Sequence, residues 1–407
     1  MEIQKRLAFS VDEYKGRVAR VREEMARRKF DVLLAHTPEN ICYLSGYHTP
    51  GYYMYQVLIL PLEKPPLILT RLIEQTNVRG FSWFEDGLGY ADTQDPIALT
   101  AECLTHMGLA KCRIGLERSC WFLTISQAER LMALLPDATW ADGSGIVEVS
   151  RAVKSPAEIG YIRQAADIAA KGMQAAADSC RAGATECAVA GQIYRVMVEN
   201  GGEYAGLPLF ISSGHRTLLV HATWTDKVIQ PGDSVLVELA GTVMRYAAPL
   251  FRTFSIGEPS GQLARASTIV AHMLEMVMEA IRPGATSHGV DAAARRAAAE
   301  HGVEGGVRKR AGYSVGLNFP PDWGEGCFLD LKEDDRTVLV PGMVFHVPQS
   351  LRLEGSPPAA VSETVLVTPG GREVLTTFPR HLIVVRDREG ETAGPRVSPA
   401  PAGAGCP

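Results

Sequence analysis

The stretch GDSVLVELAGTVMRYAAPLFRT, residues 232–253, decides the fold that we expect for this chain. Its first part, residues 234–239, is rich in Val and Leu and predicts a buried strand that carries Glu238 into the interior. Residues 246–254 predict the second strand of a hairpin and include Pro249, which offers no side-chain donor. A buried carboxylate is costly unless it meets a cation, a metal or a hydrogen-bond donor, or keeps its proton. Glu238 is therefore the first candidate for a functional residue.

The composition is that of an ordinary globular protein. The chain has 407 residues, of which 46% are hydrophobic, which is enough for two domains, and its formal net charge of -5 is spread over interspersed signs. It contains no Lys/Arg tract of the kind that binds nucleic acid, no apolar run of membrane-spanning length and no signal-peptide core. We therefore predict a cytoplasmic protein without a nucleic-acid or membrane partner. The eight cysteines are scattered without zinc spacing, which predicts reduced, structural side chains.

The order of the predicted elements indicates two domains and a tail. Residues 1–150 contain short apolar strands that alternate with helices, which predicts a small α/β domain. Within it, the tyrosine-rich segment 40–56 fits either the edge of a core or a loop that reaches an active site. Pro156 and Glu158 predict the start of a long helix, so we place a second domain, with helices outside and strands inside, at residues 151–386. Residues 387–407 have almost no large apolar side chain, which predicts a disordered tail.

Several motifs in a fixed order resemble one known family. The hairpin, HATW at 221–224, GYSVGLNFPPDWGE at 312–325, PGMVFHVPQSL at 341–351 and SETVLVT at 362–368 are similar to the pita-bread family of creatinase, proline aminopeptidases and ectoine hydrolase, and most similar to its ectoine hydrolase branch. The resemblance implies an α+β protein, in which a small N-terminal α/β creatinase-like domain precedes a C-terminal pita-bread domain with two pseudo-symmetric halves. It also implies a homodimer in which the N-terminal domain of one subunit lies near the site of the other.

The resemblance also shows what this chain lacks. The metallopeptidases of the family hold two divalent metals with two Asp, one His and two Glu, and the matching positions here are Glu238, Pro249, Tyr313, Pro348 and Glu363. Proline has no side-chain donor and a phenol replaces the imidazole, so this set is poor for a dinuclear site. We therefore predict an enzyme without a metal or another cofactor. The alternative is a single metal that a relocated ligand holds, with His346 as the candidate.

Carboxylates without a metal favour a cationic ligand, and an amidinium or guanidinium group pairs with a carboxylate in plane. The resemblance implies such a substrate, a small zwitterionic amidine or guanidine acid such as ectoine or creatine, and cleavage of a C–N bond other than a peptide bond. His221 matches the histidine that creatinase uses as acid/base catalyst. We predict that Glu238 acts as nucleophile or as base for water, that His221 protonates the departing nitrogen, and that Glu363 orients the cation.

Six further residues are candidates for substrate contact, and most of them also have a structural interpretation. Core packing is the alternative for Trp224 and a structural loop for Trp323. Cavity filling is the alternative for the tyrosine, a solvated surface for Arg71 and a structural ion pair for Arg252, while the pleat of its strand decides where the histidine points. The six are Tyr313, Trp224, Arg71, Trp323, His346 and Arg252.

Two other functions stay open at this point. One is a metal-dependent Xaa-Pro aminopeptidase with rearranged ligands, which chelators would inhibit. The other is a non-catalytic binding module of the same fold, which would turn over no substrate.

Overall fold

The structure, a computed structural model, describes residues 3–306, 309–325 and 328–386. The tail that we predict to be disordered, residues 387–407, lies outside the described residues. In the part of the chain that is described, no helix is long and apolar enough to cross a membrane.

The N-terminal part is built around a mixed six-stranded sheet. Its elements are α1 (Val11–Arg27), β1 (Val32–Ala35), α2 (Pro38–Ser45), β2 (Val57–Pro61), β3 (Leu67–Arg71), α3 (Gln75–Phe81), β4 (Leu88–Tyr90), α4 (Pro96–His106), β5 (Arg113–Leu116), α5 (Ile125–Leu134), β6 (Thr139–Asp142) and α6 (Ile146–Ala152). The strand order in the sheet is β4-β3-β2-β1-β5-β6. Apolar runs of the sequence predict strands at 32–35, 57–61, 66–70 and 113–116; three of them have these bounds in the structure, and the one at 66–70 is shifted by one residue.

The four central strands of this sheet, β3, β2, β1 and β5, are largely buried on both faces, which explains why they are mostly apolar runs. Alternate residues of β1 belong to two separate clusters. Leu33 packs with Val21 of α1 on one face, and Leu34 packs with Ile97 and Leu104 of α4 on the other. The first helix begins as its sequence predicts, because Ser10 accepts a hydrogen bond from the backbone N–H of Glu13.

The C-terminal part has two halves with the same plan, a pair of helices packed against a sheet. The elements are α7 (Pro156–Ser179), α8 (Glu186–Glu199), β7 (Phe210–Ser213), β8 (Ser234–Val243), β9 (Tyr246–Ile256), α9 (Gly261–Ala280), α10 (Ser287–Glu300), β10 (Gly312–Ser314), β11 (Asp330–Leu331), β12 (Val344–His346), β13 (Gln349–Leu351), β14 (Ala359–Val361), β15 (Thr364–Thr368), β16 (Gly371–Val374) and β17 (Ile383–Val385). The helices α7 and α8 pack on the sheet β17-β9-β8-β7, and α9 and α10 pack on the sheet β11-β10-β12-β15-β16. This arrangement confirms the predicted fold class.

The hairpin of β8 and β9 is the centre of the first half. Its register runs from Ser234 opposite Ser255 to Val243 opposite Tyr246. The backbone of β8 approaches α7 so closely that a Cβ atom at Gly241 would lie 1.9 Å from the carbonyl oxygen of Ala165. Glycine is therefore required at this point, and the close packing fixes the strand that carries Glu238.

Buried polar contacts join the N-terminal domain to the segment 317–325. Arg151 donates to the side chain of Asn40 at 2.7 Å and to the carboxylate of Glu325 at 3.4 Å, and the same carboxylate accepts from Lys154 at 2.6 Å. The ring of Tyr52, from the tyrosine-rich segment, packs edge-on against Phe319 at 5.7 Å. The N-terminal domain thus supports the segment whose later residues reach the cavity described next.

Candidate active site

A cavity of about 710 Å³ is lined by residues from both halves of the C-terminal domain. Four of the nine predicted site residues line it, namely Glu238, His221, Tyr313 and Trp323. The other five do not, and each of them has other partners in the structure. The cavity is therefore the candidate active site, and its walls decide which of the predicted roles are possible.

Glu238 lies on β8 between two phenylalanines of the neighbouring strands. Its direct partners are Phe210 on β7 and Phe251 on β9, so the three side chains share the sheet face that lines the cavity. Burial raises the pKa of the Glu238 carboxyl to about 7, although the Lys309 ammonium acts in the opposite direction. A carboxyl group that exchanges its proton near neutral pH is suited to act as a general base or nucleophile.

His221 reaches the cavity from the segment that follows β7. Its backbone has a φ of 56°, and its ring lies 5.2 Å from the ring of Phe210. Phe210 is thus the neighbour of both groups that we predict to move protons. The side chain of His221 is exposed at the cavity, where a departing group and solvent can both reach it.

A buried carboxylate, that of Glu186, holds both ends of the segment that carries His221. At one end it accepts from the backbone N–H and hydroxyl of Ser213, both at 2.8 Å, and at the other from the backbone N–H and hydroxyl of Thr225, both at 3.0 Å. Arg216, within the segment, forms an ion pair with the same carboxylate. Sequence analysis missed Glu186, because there it is only an acidic residue in the first turn of a predicted helix.

Tyr313 and Trp323 form another part of the wall. Trp323 Nε1 donates to Tyr313 Oη at 2.8 Å, and the Trp323 ring stands edge-on to Phe210 at 5.3 Å. Burial, followed by the charge of Glu238, raises the pKa of Tyr313 well above its usual value, so the phenol keeps its proton. His346 contacts the same phenol oxygen through Nδ1 at 2.8 Å, but it is fully buried and does not line the cavity. The expectation that His346 contacts substrate is therefore corrected to an indirect role through Tyr313.

Three basic residues that sequence analysis missed also line the cavity, namely Lys309, Arg310 and Arg352. The Arg310 guanidinium lies 4.9 Å from the centre of the Tyr313 ring, and its Nε is 3.0 Å from the carboxylate of Asp330. The side chain of Lys309 is exposed to solvent at the cavity. Partial burial by the cavity walls lowers the pKa of its ammonium group, and the negative charge of Glu238 acts in the opposite direction. The available signal was the position of the Lys-Arg pair, one residue before the GYSVG motif.

Glu363 and Arg252 form a buried ion pair at 2.6 Å, away from the cavity lining. Glu363 also pairs with Arg380 at 3.1 Å and accepts a hydrogen bond from Thr376, so both of its oxygens are occupied. Arg252 in turn donates to the backbone oxygens of Phe378, Pro379 and Ser362. The substrate role expected for Glu363 is therefore corrected, because the cation that it meets is Arg252. For Arg252 the structure shows the alternative interpretation, a structural ion pair, and neither side chain faces the cavity.

Trp224 and Arg71 are also placed elsewhere. Trp224 packs edge-on against Tyr194 at 5.6 Å, as part of the core between α7, α8 and the first sheet. Arg71 lies in the N-terminal domain, where it pairs with Asp92 through two hydrogen bonds of 2.8 and 2.7 Å. The expectation that these two residues contact substrate in the cavity of their own chain is therefore corrected to packing for Trp224 and a surface ion pair for Arg71.

The positions that hold metals in the metallopeptidases do not fit a pair of divalent ions here. Pro249 and Pro348 have no donor, the Tyr313 oxygen already accepts from Trp323, and Glu363 is neutralised by two guanidinium groups. Glu238 is the one remaining anionic donor of that set. Among residues 3–306, 309–325 and 328–386, no three His, Cys, Asp or Glu side chains form a group that could hold a metal ion. No catalytic step is therefore assigned to a metal.

Two family profiles match the sequence. The profile of metallopeptidase family M24 matches residues 160–369, and that of the creatinase/prolidase N-terminal domain matches residues 17–153. The ectoine hydrolase of Halomonas elongata is 31% identical over 400 residues, which cover 94% of this chain and 100% of that protein.

Solved structures of similar fold cover nearly the whole chain. The dipeptidase PepE of Mycobacterium ulcerans superposes with a TM-score of 0.80 and 24% identity over 93% of this chain and 100% of its own. A recombinant prolidase from Thermococcus sibiricus gives a TM-score of 0.83 and 20% identity over the same shares. At these identities the likeness shows the fold alone.

Proposed function

Because this chain belongs to metallopeptidase family M24 and has the creatinase/prolidase N-terminal domain, we propose that it hydrolyses a non-peptide C–N bond in a small zwitterionic amidine or guanidine acid, as ectoine hydrolase or creatinase would. The observation that carries this proposal is the distribution of charge in the cavity. Glu238 lies among aromatic side chains, while Lys309, Arg310 and Arg352 line the same space.

This distribution fits a substrate that carries both charges. An amidinium or guanidinium ion forms paired, in-plane hydrogen bonds with a carboxylate, and Glu238 supplies that carboxylate once it has lost its proton. The substrate carboxylate finds its counter-charge on the basic residues, among which the two arginines have the fork geometry that carboxylates bind. Arg310 is already paired with Asp330, so a substrate with a single charge would leave either Glu238 or Lys309 and Arg352 without an opposite charge from the substrate.

The residues on the cavity wall support one hydrolytic step. Ionised Glu238 takes a proton from water, the hydroxide adds to the amidinium carbon, and the C–N bond breaks as the nitrogen leaves with a proton from His221. Exchange with solvent then returns the proton on Glu238 and replaces the one lost by His221. In a second route, a Glu238 oxygen adds to the same carbon and water hydrolyses the resulting ester. Either way, one water is added across one C–N bond.

We also propose that the reaction needs no resident metal. The support is the donor set, in which two prolines and an arginine-paired carboxylate stand where metal ligands are required. The electrophile supplies a second reason, because an amidinium carbon already bears positive charge and needs less polarisation than a neutral peptide carbonyl. The second candidate function, a metal-dependent Xaa-Pro peptidase, draws on the dipeptidase and prolidase likenesses, which concern the fold alone.

The test uses the purified chain, its metal content measured by mass spectrometry, and a substrate panel followed by NMR. The panel contains ectoine, hydroxyectoine, creatine, related guanidino acids and Xaa-Pro dipeptides. We expect C–N cleavage of one zwitterion at a rate that chelation does not change. Cleavage of a dipeptide that stops on metal removal would establish the peptidase instead, and the absence of turnover on every compound would favour a binding module.

A further inference from the structure

Three hydrogen bonds in series connect the cavity wall with the interior of the C-terminal domain. Trp323 Nε1 donates to Tyr313 Oη at 2.8 Å, and His346 Nδ1 lies 2.8 Å from the same oxygen. On its other side, His346 Nε2 lies 2.6 Å from Ser362 Oγ. Tyr313 and His346 stand directly opposite each other in the pairing of β10 with β12, while both His346 and Ser362 are fully buried.

Counting the protons that these groups carry shows which group donates and which accepts in each hydrogen bond. In the part of the chain that the structure describes, the Ser362 hydroxyl has one hydrogen-bond partner, His346 Nε2. A buried hydroxyl proton without an acceptor is unfavourable, so the favoured arrangement is the one in which Ser362 donates to Nε2. The proton of the neutral imidazole is then on Nδ1, from which it is donated to the Tyr313 oxygen.

The Tyr313 oxygen therefore receives two hydrogen bonds. An indole N–H can only donate, so Trp323 uses one lone pair and His346 Nδ1–H uses the other. The phenol proton has no acceptor left among these partners, and the cavity that Tyr313 lines is the remaining direction. A doubly protonated imidazole would also donate from Nδ1 to the Tyr313 oxygen. The phenol oxygen therefore accepts this hydrogen bond whether His346 is neutral or charged.

We propose that Ser362 and His346 are positioning residues that compel the Tyr313 hydroxyl to donate a hydrogen bond into the cavity, so that the site selects substrates with an acceptor there. The acceptor is a carboxylate oxygen of the substrate or the nitrogen that departs. This inference rests on the proposed function, which places the reacting C–N bond beside Glu238. Where a family metallopeptidase carries an imidazole ligand for a metal, this chain thus carries a phenol that serves as a directed hydrogen-bond donor.

NMR of the ligand-free protein tests the direction without any turnover. In protein labelled with ¹⁵N-histidine, His346→Gln identifies the His346 signals, and long-range ¹H–¹⁵N spectra show which ring nitrogen carries the proton. We expect a protonated Nδ1 and an unprotonated Nε2. In Ser362→Ala the Nε2 atom loses its donor, and we expect a mixture of both tautomers. A wild-type ring that is protonated on Nε2 alone would overturn the proposal, whatever the substrate proves to be.

Steady-state kinetics with the substrate that the panel identifies test whether the Tyr313 hydroxyl donates a hydrogen bond to it. Tyr313→Phe removes the donor, and we expect kcat/KM to fall roughly 10- to 100-fold. Ser362→Ala should lower it about fivefold or more, and Ser362→Thr, which keeps the hydroxyl, should recover most of that loss. Because Ser362 acts through Tyr313, the double variant should be no slower than Tyr313→Phe alone.

The matched control is Ser234→Ala. Ser234 is also buried, but its hydroxyl has no hydrogen-bond partner among the described residues. We expect its kcat/KM to equal that of the wild type. Losses that multiply in the Tyr313→Phe/Ser362→Ala double variant would show that Ser362 acts on structure alone and would refute its positioning role.

Discussion

Phe210 stands directly opposite Glu238 in the pairing of β7 with β8, and its ring lies 5.2 Å from the imidazole of His221. One apolar side chain therefore adjoins both groups that are proposed to move protons. It excludes water on one side of the carboxyl group, which favours the protonated form of Glu238 until a cation arrives. The cavity thus combines an acid that loses its proton near neutral pH with the imidazole that is proposed to protonate the departing nitrogen.

Glu238→Gln tests whether this carboxyl group performs the chemistry. Glutamine keeps the shape but neither attacks carbon nor takes a proton, so we expect kcat to fall roughly 1,000-fold or more while substrate affinity changes much less. In the wild type the ionised form is the active one, so kcat/KM should rise with pH through a midpoint near 7. Steady-state kinetics from pH 5 to 9 check both. Glu373→Gln, at a surface ion pair with Arg163, is the control, and wild-type turnover in Glu238→Gln would end the assignment.

The same carboxyl group should make stability depend on pH. Its pKa in the folded protein is about 7, above the value near 4.5 of an exposed glutamate. The stability that Glu238 contributes is therefore fully present below about pH 4.5 and is lost as pH rises through 7. Against the neutral Glu238→Gln variant, we expect the wild type to be less stable by about 3 kcal/mol at pH 8 and nearly equally stable at pH 4.5. Urea unfolding at the two pH values measures this, and a difference independent of pH would contradict it.

The parts of the site that lie within one motif could be predicted from the sequence. Glu238, Tyr313 and Trp323 each stand in a short segment whose neighbours fix their position, and the structure brings all three to one cavity. The four central strands of the N-terminal sheet were similarly predictable, since a strand buried on both faces is a continuous apolar run.

Residues that owe their place to pairing across the chain could not be predicted. Phe210 reaches Glu238 only through the register of β7, a strand of four residues with no alternating pattern of its own. Glu363 fits the family motif, but only the fold brings Arg252 and Arg380 to its carboxylate. Charge along a sequence does not show which cation a buried acid meets, so the role given to Glu363 needed the structure to correct it.

We expect the Arg252–Glu363 pair to affect the stability of the protein and not the binding of the charged substrate. Both side chains are buried, so removing one partner leaves an uncompensated charge inside the protein. We expect Arg252→Met to lower the free energy of unfolding by about 3 kcal/mol or more. Arg163→Met, which breaks the surface pair with Glu373, should cost less than about 1 kcal/mol. Urea titrations compare the two. If the Arg252→Met protein has wild-type stability but fails to bind substrate, Arg252 and Glu363 would have to be assigned to substrate binding instead.

Assembly into a homodimer, with the N-terminal domain of one subunit near the site of the other, is a further expectation. Apolar side chains are exposed on both surfaces concerned, with Val220 84% exposed beside His221 and Ile73 65% exposed in the N-terminal domain. We expect light scattering to give twice the chain mass of 44.1 kDa. Ile73→Asp should lower the fraction of dimer and kcat/KM together, whereas Val384→Asp, at another exposed apolar residue, should change neither. A fully active monomer would contradict this expectation.

Glu186 should control turnover although it does not line the cavity. Its carboxylate ties Ser213 to Thr225 and pairs with Arg216, so it closes the segment that presents His221. In Glu186→Ala the two ends lose their common acceptor, and we expect kcat to fall about 10-fold or more as the imidazole leaves its productive position. Glu186→Gln keeps one acceptor oxygen and should retain more activity than Glu186→Ala. Glu199→Gln, at the exposed end of the same helix, is the matched control.

Hydrogen exchange separates this positioning role from a general loss of stability. If Glu186 acts through the segment, exchange in Glu186→Ala should accelerate in residues 213–225 and stay unchanged in β8 and β9, because those strands are held by their own ladder. The loss should fall on kcat more than on KM, since His221 is proposed to act on the departing nitrogen and not to hold the substrate. Faster exchange throughout the C-terminal domain, or a normal kcat with a loosened segment, would contradict the link between Glu186 and His221.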